Sequence, residues 1–126
     1  MSVSRWTVAP TKFVEAVKKD HKTTVVTAAL AIDRELVANT PVDTGRAQSN
    51  WIPSVSSPSY SVSGPIPLGQ LSERAMGVFD PENMPDFPTL YLSNNLPYIV
   101  RLNEGWSQQA PAFFVQLSIE RVLNEF

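Results

Sequence analysis

The stretch PTKFVEAVKKDHKTTVVTAALAIDRELVAN, Pro10 to Asn39, decides the fold. At about 100° per residue it places Phe13, Val14, Val17, Val25, Ala28, Ile32 and Leu36 on one broad stripe, the expected core-facing side of an α-helix. Val26, Leu30 and Val37 form a second, narrower apolar stripe where the surface helix of a monomer is normally polar. Such a helix is expected to be covered on two sides, with the second stripe serving as an interface. At ~1.5 Å per residue it is about 40 Å long, comparable to the whole domain. Asn39-Thr40-Pro41 stops it, because a residue before proline is pushed out of the α region. His21 falls on the first stripe, at the angle of Val14 and Ile32, and reads as a core or boundary residue rather than a ligand.

Outward from the helix, Thr40-Pro41-Val42-Asp43-Thr44-Gly45-Arg46 reads as a corner. Asp43 and Thr44 can accept local backbone N–H bonds, and Gly45 supplies a positive φ. Arg46 is placed to bond a carboxylate or helix C-terminal carbonyls, so the segment suits a helix-to-strand corner and a contact loop equally. Ala47 to Val55 holds Trp51, Ile52 and Val55 and predicts a strand broken at Pro53. Residues 54–67, rich in Ser, Pro and Gly, read as turns with a short extended piece at Tyr60 and Val62. Leu68 to Val78 predicts a short helix facing inward through Leu71, Ala75 and Met76. Residues 79–88 predict a loop, and Thr89 to Ser93 a strand. Asn95 is a candidate N-cap for a short helix with Pro97 near its first position and Glu104-Gly105 at its end. Gln109-Ala110-Pro111 opens a last helix facing inward through Phe114, Leu117, Val122 and Phe126. The expected architecture is α+β: a small antiparallel or mixed sheet packed by the long N-terminal helix, with a short and a C-terminal helix, in one domain over residues 1–126.

Composition narrows the function classes. The chain has 126 residues, a net charge of -2 and 43% apolar residues, which fits one folded domain with no global pull toward DNA or an anionic membrane. Lys18, Lys19 and Lys22, grouped around Asp20 and His21, read as a solvated helix face. With no cysteine, disulfides and thiolate metal sites are impossible. No signal-peptide core appears, and no run approaches the ~20 apolar residues of a membrane span, so a soluble protein made in the cytoplasm is expected.

Chemistry finds little purchase. One mid-helix histidine, no Gly-x-Ser-x-Gly elbow and no Gly-Lys-Ser/Thr phosphate loop give no nucleophilic or nucleotide site. Asp33 and Glu35 diverge on the helix, and Asp80, Glu82 and Asp86 lie among prolines without metal-loop spacing. No catalytic residue, metal or cofactor is expected.

The order of long helix, Thr40-Pro41-Val42-Asp43-Thr44-Gly45-Arg46, Ser49-Asn50-Trp51, Leu92-Ser93-Asn94-Asn95-Leu96-Pro97-Tyr98 and Leu102-Asn103-Glu104-Gly105-Trp106-Ser107-Gln108-Gln109-Ala110-Pro111 resembles the neck and tail-completion family of lambda-like long-tailed bacteriophages. The resemblance spans about Ala9 to Glu125. Its specific parts are Asn94 to Tyr98 and Glu104 to Pro111, and Phe113 departs from it where a glycine is expected. It implies an α+β fold, no catalysis, and a place in the virion neck as a ring of copies, hexameric or dodecameric, joining head to tail. The implied partners are the chain itself and neighbouring neck, connector and tail-tube or terminator proteins, with DNA passing through the channel without specific binding and no membrane. Interface candidates are Val26, Leu30, Val37, Arg46, Asn95, Tyr98, Arg101, Trp106 and Gln108, with Trp6 a further aromatic anchor. The alternatives are a tail-terminator ring, a DNA-contacting connector or nucleic-acid-binding module (disfavoured by the acidic balance), and, third, an enzyme.

Overall fold

A computed structural model describes residues 10–40, 45–105 and 113–125, with the side chains of 10–13 left aside. The protein is α+β. Helix α1 (Pro10–Asn39) leads to the single-turn α2 (Arg46–Ser49) and strand β1 (Ile52–Val55). Helix α3 (Leu68–Val78), a 3₁₀ turn (Pro81–Asn83), strand β2 (Leu90–Ser93) and helices α4 (Ile99–Asn103) and α5 (Phe114–Leu123) follow. Strands β1 and β2 pair antiparallel, Ile52 opposite Ser93 and Val55 opposite Leu90. Pro53 does not break β1. It stands opposite Leu92 inside the strand, and with one neighbouring strand among the described residues its missing N–H can face the other edge.

Helix α1 is covered on two sides, both by its own chain. The main core gathers Leu36, Val37, Ala47, Trp51, Leu71, Leu96, Ile99 and Phe114. A smaller cluster joins Val26 to Phe79 and Met84, with Leu30 packed against it. Val26 and Val37 are therefore core and Leu30 is half-buried against it, which corrects the reading of this stripe as spare surface. The broad stripe is the less buried one. Leu36 is buried and Ile32 half-buried, but Val14 and Val17 are exposed. The two clusters draw on α1 only from Val26 to Val37, so its first turns lie beyond the residues that the core gathers. His21 is exposed, its ring 4.9 Å from that of Phe87 and tilted by 50°. Lys18 and Lys22 pair with Asp86 at 3.3 and 3.1 Å, and the Lys22 ammonium donates to the Met84 carbonyl, tying this end to the 81–87 loop.

Helix α5 packs along α1 through Phe114, Ser118 and Val122, which recur every four residues and are buried. Leu117 lies off that face and is exposed, as is Met76 on α3, so both expected inward positions are corrected. Asn39 donates to the Ser118 hydroxyl, and Arg121 pairs with Glu35 at 3.0 Å.

Pro41 to Thr44 lie outside the described residues, but the ends of the corner are clear. Thr40 is buried. Its hydroxyl donates to the Leu36 carbonyl and accepts from the Trp51 indole N–H at 2.8 Å. Gly45 has φ 76°, and an added Cβ would meet only Pro65, at 4.0 Å. Space is available, so strain is the whole cost of a side chain. Gly45→Val is expected to lose about 1–3 kcal/mol, read as a drop in melting temperature. An unchanged melt would show that the turn relaxes.

Candidate functional site

The predicted interface residues do not form one face. Val26, Leu30 and Val37 are taken up by the two cores. Arg46 opens α2 and is exposed. Tyr98 and Arg101 come together on the short α4, Tyr98 at its N-cap and Arg101 exposed in its last turn. Trp6, Trp106, Gln108 and the expected start of the last helix at Gln109 to Pro111 lie outside the described residues, as does Phe126.

The Asn94-Asn95 pair works by pinning backbone. The Asn94 side-chain oxygen accepts from the Leu96 N–H, and its side-chain amide N–H donates to the Ala47 carbonyl. Asn95 is not an N-cap: its amide donates to the carbonyls of Ser59 and Ser61 at 2.9 and 3.0 Å. Asn50, fully buried, adds a third anchor, donating to the Ser63 carbonyl while accepting from the Ser63 N–H, both at 2.8 Å. Asn95 and Asn50 thus hold the irregular 59–63 segment by its backbone, while Asn94 ties its own turn to Ala47. Between the anchored serines, Tyr60 and Val62 stand out, Tyr60 with 82% of its surface exposed.

Around the α4–α5 junction more apolar surface is left open. Asn103 accepts at its carbonyl from the Phe113 N–H and at its side chain from the Val115 N–H, joining the two helices. Beside this joint Val100, Phe113 and Leu117 are all exposed. Phe113 adopts φ 61° and ψ 37°, the left-handed region, which costs a bulky side chain about 1–2 kcal/mol. The residue that departs from the expected glycine therefore sits in a glycine conformation with an exposed ring.

Between α1 and α3 lies a cleft of about 300 Å³ lined by Asp33, Arg34, Val37, Ala38, Gln48, Leu68, Leu71 and Ser72. Asp33 is only 6% exposed, and no hydrogen bond or close ion pair from a described residue reaches its carboxylate. Burial raises its pKa to about 6, against the partial opposition of Arg74 and Arg34. Arg74 spends its guanidinium on the Ser49 and Trp51 carbonyls, both at 2.9 Å, and its Nε is buried without a partner. Sequence reasoning passed over this acid because one Asp among apolar neighbours on a helix has no distinctive spacing.

A carboxyl group whose folded pKa lies above its ordinary 3.8 favours the protonated fold. Its contribution is complete below about pH 4 and is lost as pH rises through 6. The loss amounts to about 3 kcal/mol. Asp33→Asn is therefore expected to be more stable than the parent at pH 7, with the difference closing near pH 4 in urea titrations. A difference that stays constant with pH would refute the assignment.

Among the described residues there is no group of three or more acidic, histidine or cysteine side chains placed to hold a metal ion, and no helix long and apolar enough to cross a membrane. Comparison with protein-family models, with curated proteins and with solved structures finds no match.

Proposed function

We propose that this chain is a structural subunit of a phage neck, completing the tail and joining it to the head by docking in a ring. The observation that carries the reading is the α4–α5 junction, where Val100, Phe113 and Leu117 are left exposed on a hydrogen-bonded joint. Phe113 is the sharpest part of it. A fold that holds a bulky ring in a strained left-handed conformation, yet leaves 54% of it in solvent, has a use for that ring outside its own core. The asparagines that carry the resemblance support the same reading, since they fix loop shape, and a preformed surface loses less entropy on docking.

The test separates stability from assembly. Phe113→Gly removes the ring and relieves the backbone, so the isolated domain is expected to gain about 1 kcal/mol. In a phage lacking the parent gene, the same variant is expected to leave filled heads and finished tails unjoined. Wild-type yields of infectious particles from Phe113→Gly would remove this surface from the docking argument.

A further inference from the structure

Asp33 and Tyr60 each lack a hydrogen-bond partner among the described residues. Asp33 offers a carboxylate that accepts no hydrogen bond from a described residue, at the wall of an open cleft. Tyr60 offers an aromatic ring and a hydroxyl with no partner among the described residues, on a segment whose backbone is pinned on both sides. We propose that the α1–α3 cleft is a socket for Tyr60 of a second copy of this chain, the ring lying against Val37, Leu68 and Leu71 and the hydroxyl donating to Asp33.

The chemistry of the cleft selects this occupant. An occupant of the cleft displaces water from the Asp33 carboxylate, to which no described residue donates, so the occupant must bring a donor. Arg34 and Arg74 already act on Asp33 from nearby, so another cation would meet net repulsion while a neutral O–H would not. The apolar walls call for an apolar body behind the donor. A phenol has both, and a cleft of about 300 Å³ is ample for one aromatic side chain. Tyrosine also brings rigid contact area with few rotors to freeze, and anchoring by Asn95 on either side of Tyr60 lowers the ordering cost further. Within one chain the hydroxyl and the carboxylate make no contact, so the bond falls between copies. This rests on the ring reading above and names the contact that would hold neighbouring copies together.

Sedimentation equilibrium of the purified chain tests it. Wild type is expected to self-associate, and Tyr60→Phe, which keeps the ring and lies on the surface, to weaken association roughly tenfold or more. Asp33→Leu is expected to weaken it at least as much. The double variant Tyr60→Phe/Asp33→Leu is expected to be no weaker than Asp33→Leu alone, because both changes delete the same bond. Mixing Tyr60→Ala, whose socket is intact, with Asp33→Leu, whose tyrosine is intact, is expected to yield a one-to-one pair. Association that is unchanged in Tyr60→Phe, or additive losses in the double variant, would overturn the contact while leaving self-assembly standing. A wild-type chain that stays monomeric at millimolar concentration would overturn both.

Discussion

Phe114→Ala is expected to lower the unfolding free energy by about 3–5 kcal/mol, the largest effect of any single change considered. The side chain is 1% exposed and lies in the main core beside Leu36, Val37, Trp51, Leu71, Leu96 and Ile99, which come from three separate elements and the loops between them. Its removal leaves a void at the point where α5 meets α1. Such a void collapses poorly, because Ser118 one turn on is itself fully buried and bonded back to the Phe114 carbonyl at 2.7 Å. Domains of this size are typically stable by only about 5–15 kcal/mol, so much of the margin goes. Urea titration followed by Trp51 fluorescence measures it, and a loss under about 1 kcal/mol would mean that α5 is not held as described.

Asn50→Ala is expected to cost about 2–4 kcal/mol through polar rather than apolar loss. The amide donates to Arg46 and Ser63 carbonyls at 2.7 and 2.8 Å, and the side-chain oxygen takes the Ser63 N–H. No water can replace these bonds fully, since Asn50 is 0% exposed. Beyond the lower midpoint, the variant is expected to be cut faster by proteases within 59–63, because one of the anchors of that segment is gone. A melt within 0.5 kcal/mol of wild type, or cleavage at the original rate, would contradict this, the smaller figure being about the scatter of surface substitutions.

Elements were legible from sequence wherever one strong local signal was present. The 3.6-residue period and Pro41 marked α1, the alternation of Thr89 to Ser93 marked β2, and the Leu71–Ala75 spacing marked α3. What each face packs against was not legible. Periodicity ranks the faces of a helix by how apolar they are, and on α1 the broader stripe won that ranking through Val14 and Val17. Burial is decided by where partners stand, and α3, Phe79 and Met84 stand over Val26 and Val37. Asn95 was noticed as a cap signal and Asn50 only as part of Ser49-Asn50-Trp51, because their real partners in 59–63 are more than thirty positions away for Asn95 and thirteen for Asn50. Asp33 escaped for the reverse reason: its meaning lies in having no hydrogen-bond donor among the described residues, which no spacing encodes. The strain at Phe113 was foreshadowed by its departure from an expected glycine.

The topology also sets an order of events. The only strand pairing among the described residues joins 52–55 to 90–93, and the bonds that seat α5 on α1 span 79 and 86 positions. Loops of that length must close before their contacts return any stability, which slows folding relative to a helical bundle of equal size. The Val26–Phe79–Met84 cluster needs only residues up to 84 and can gather first. During synthesis, a chain that has reached residue 113 has both strands and most of its helices yet lacks Phe114, so its main core is still open to water and to any other unfinished copy beside it.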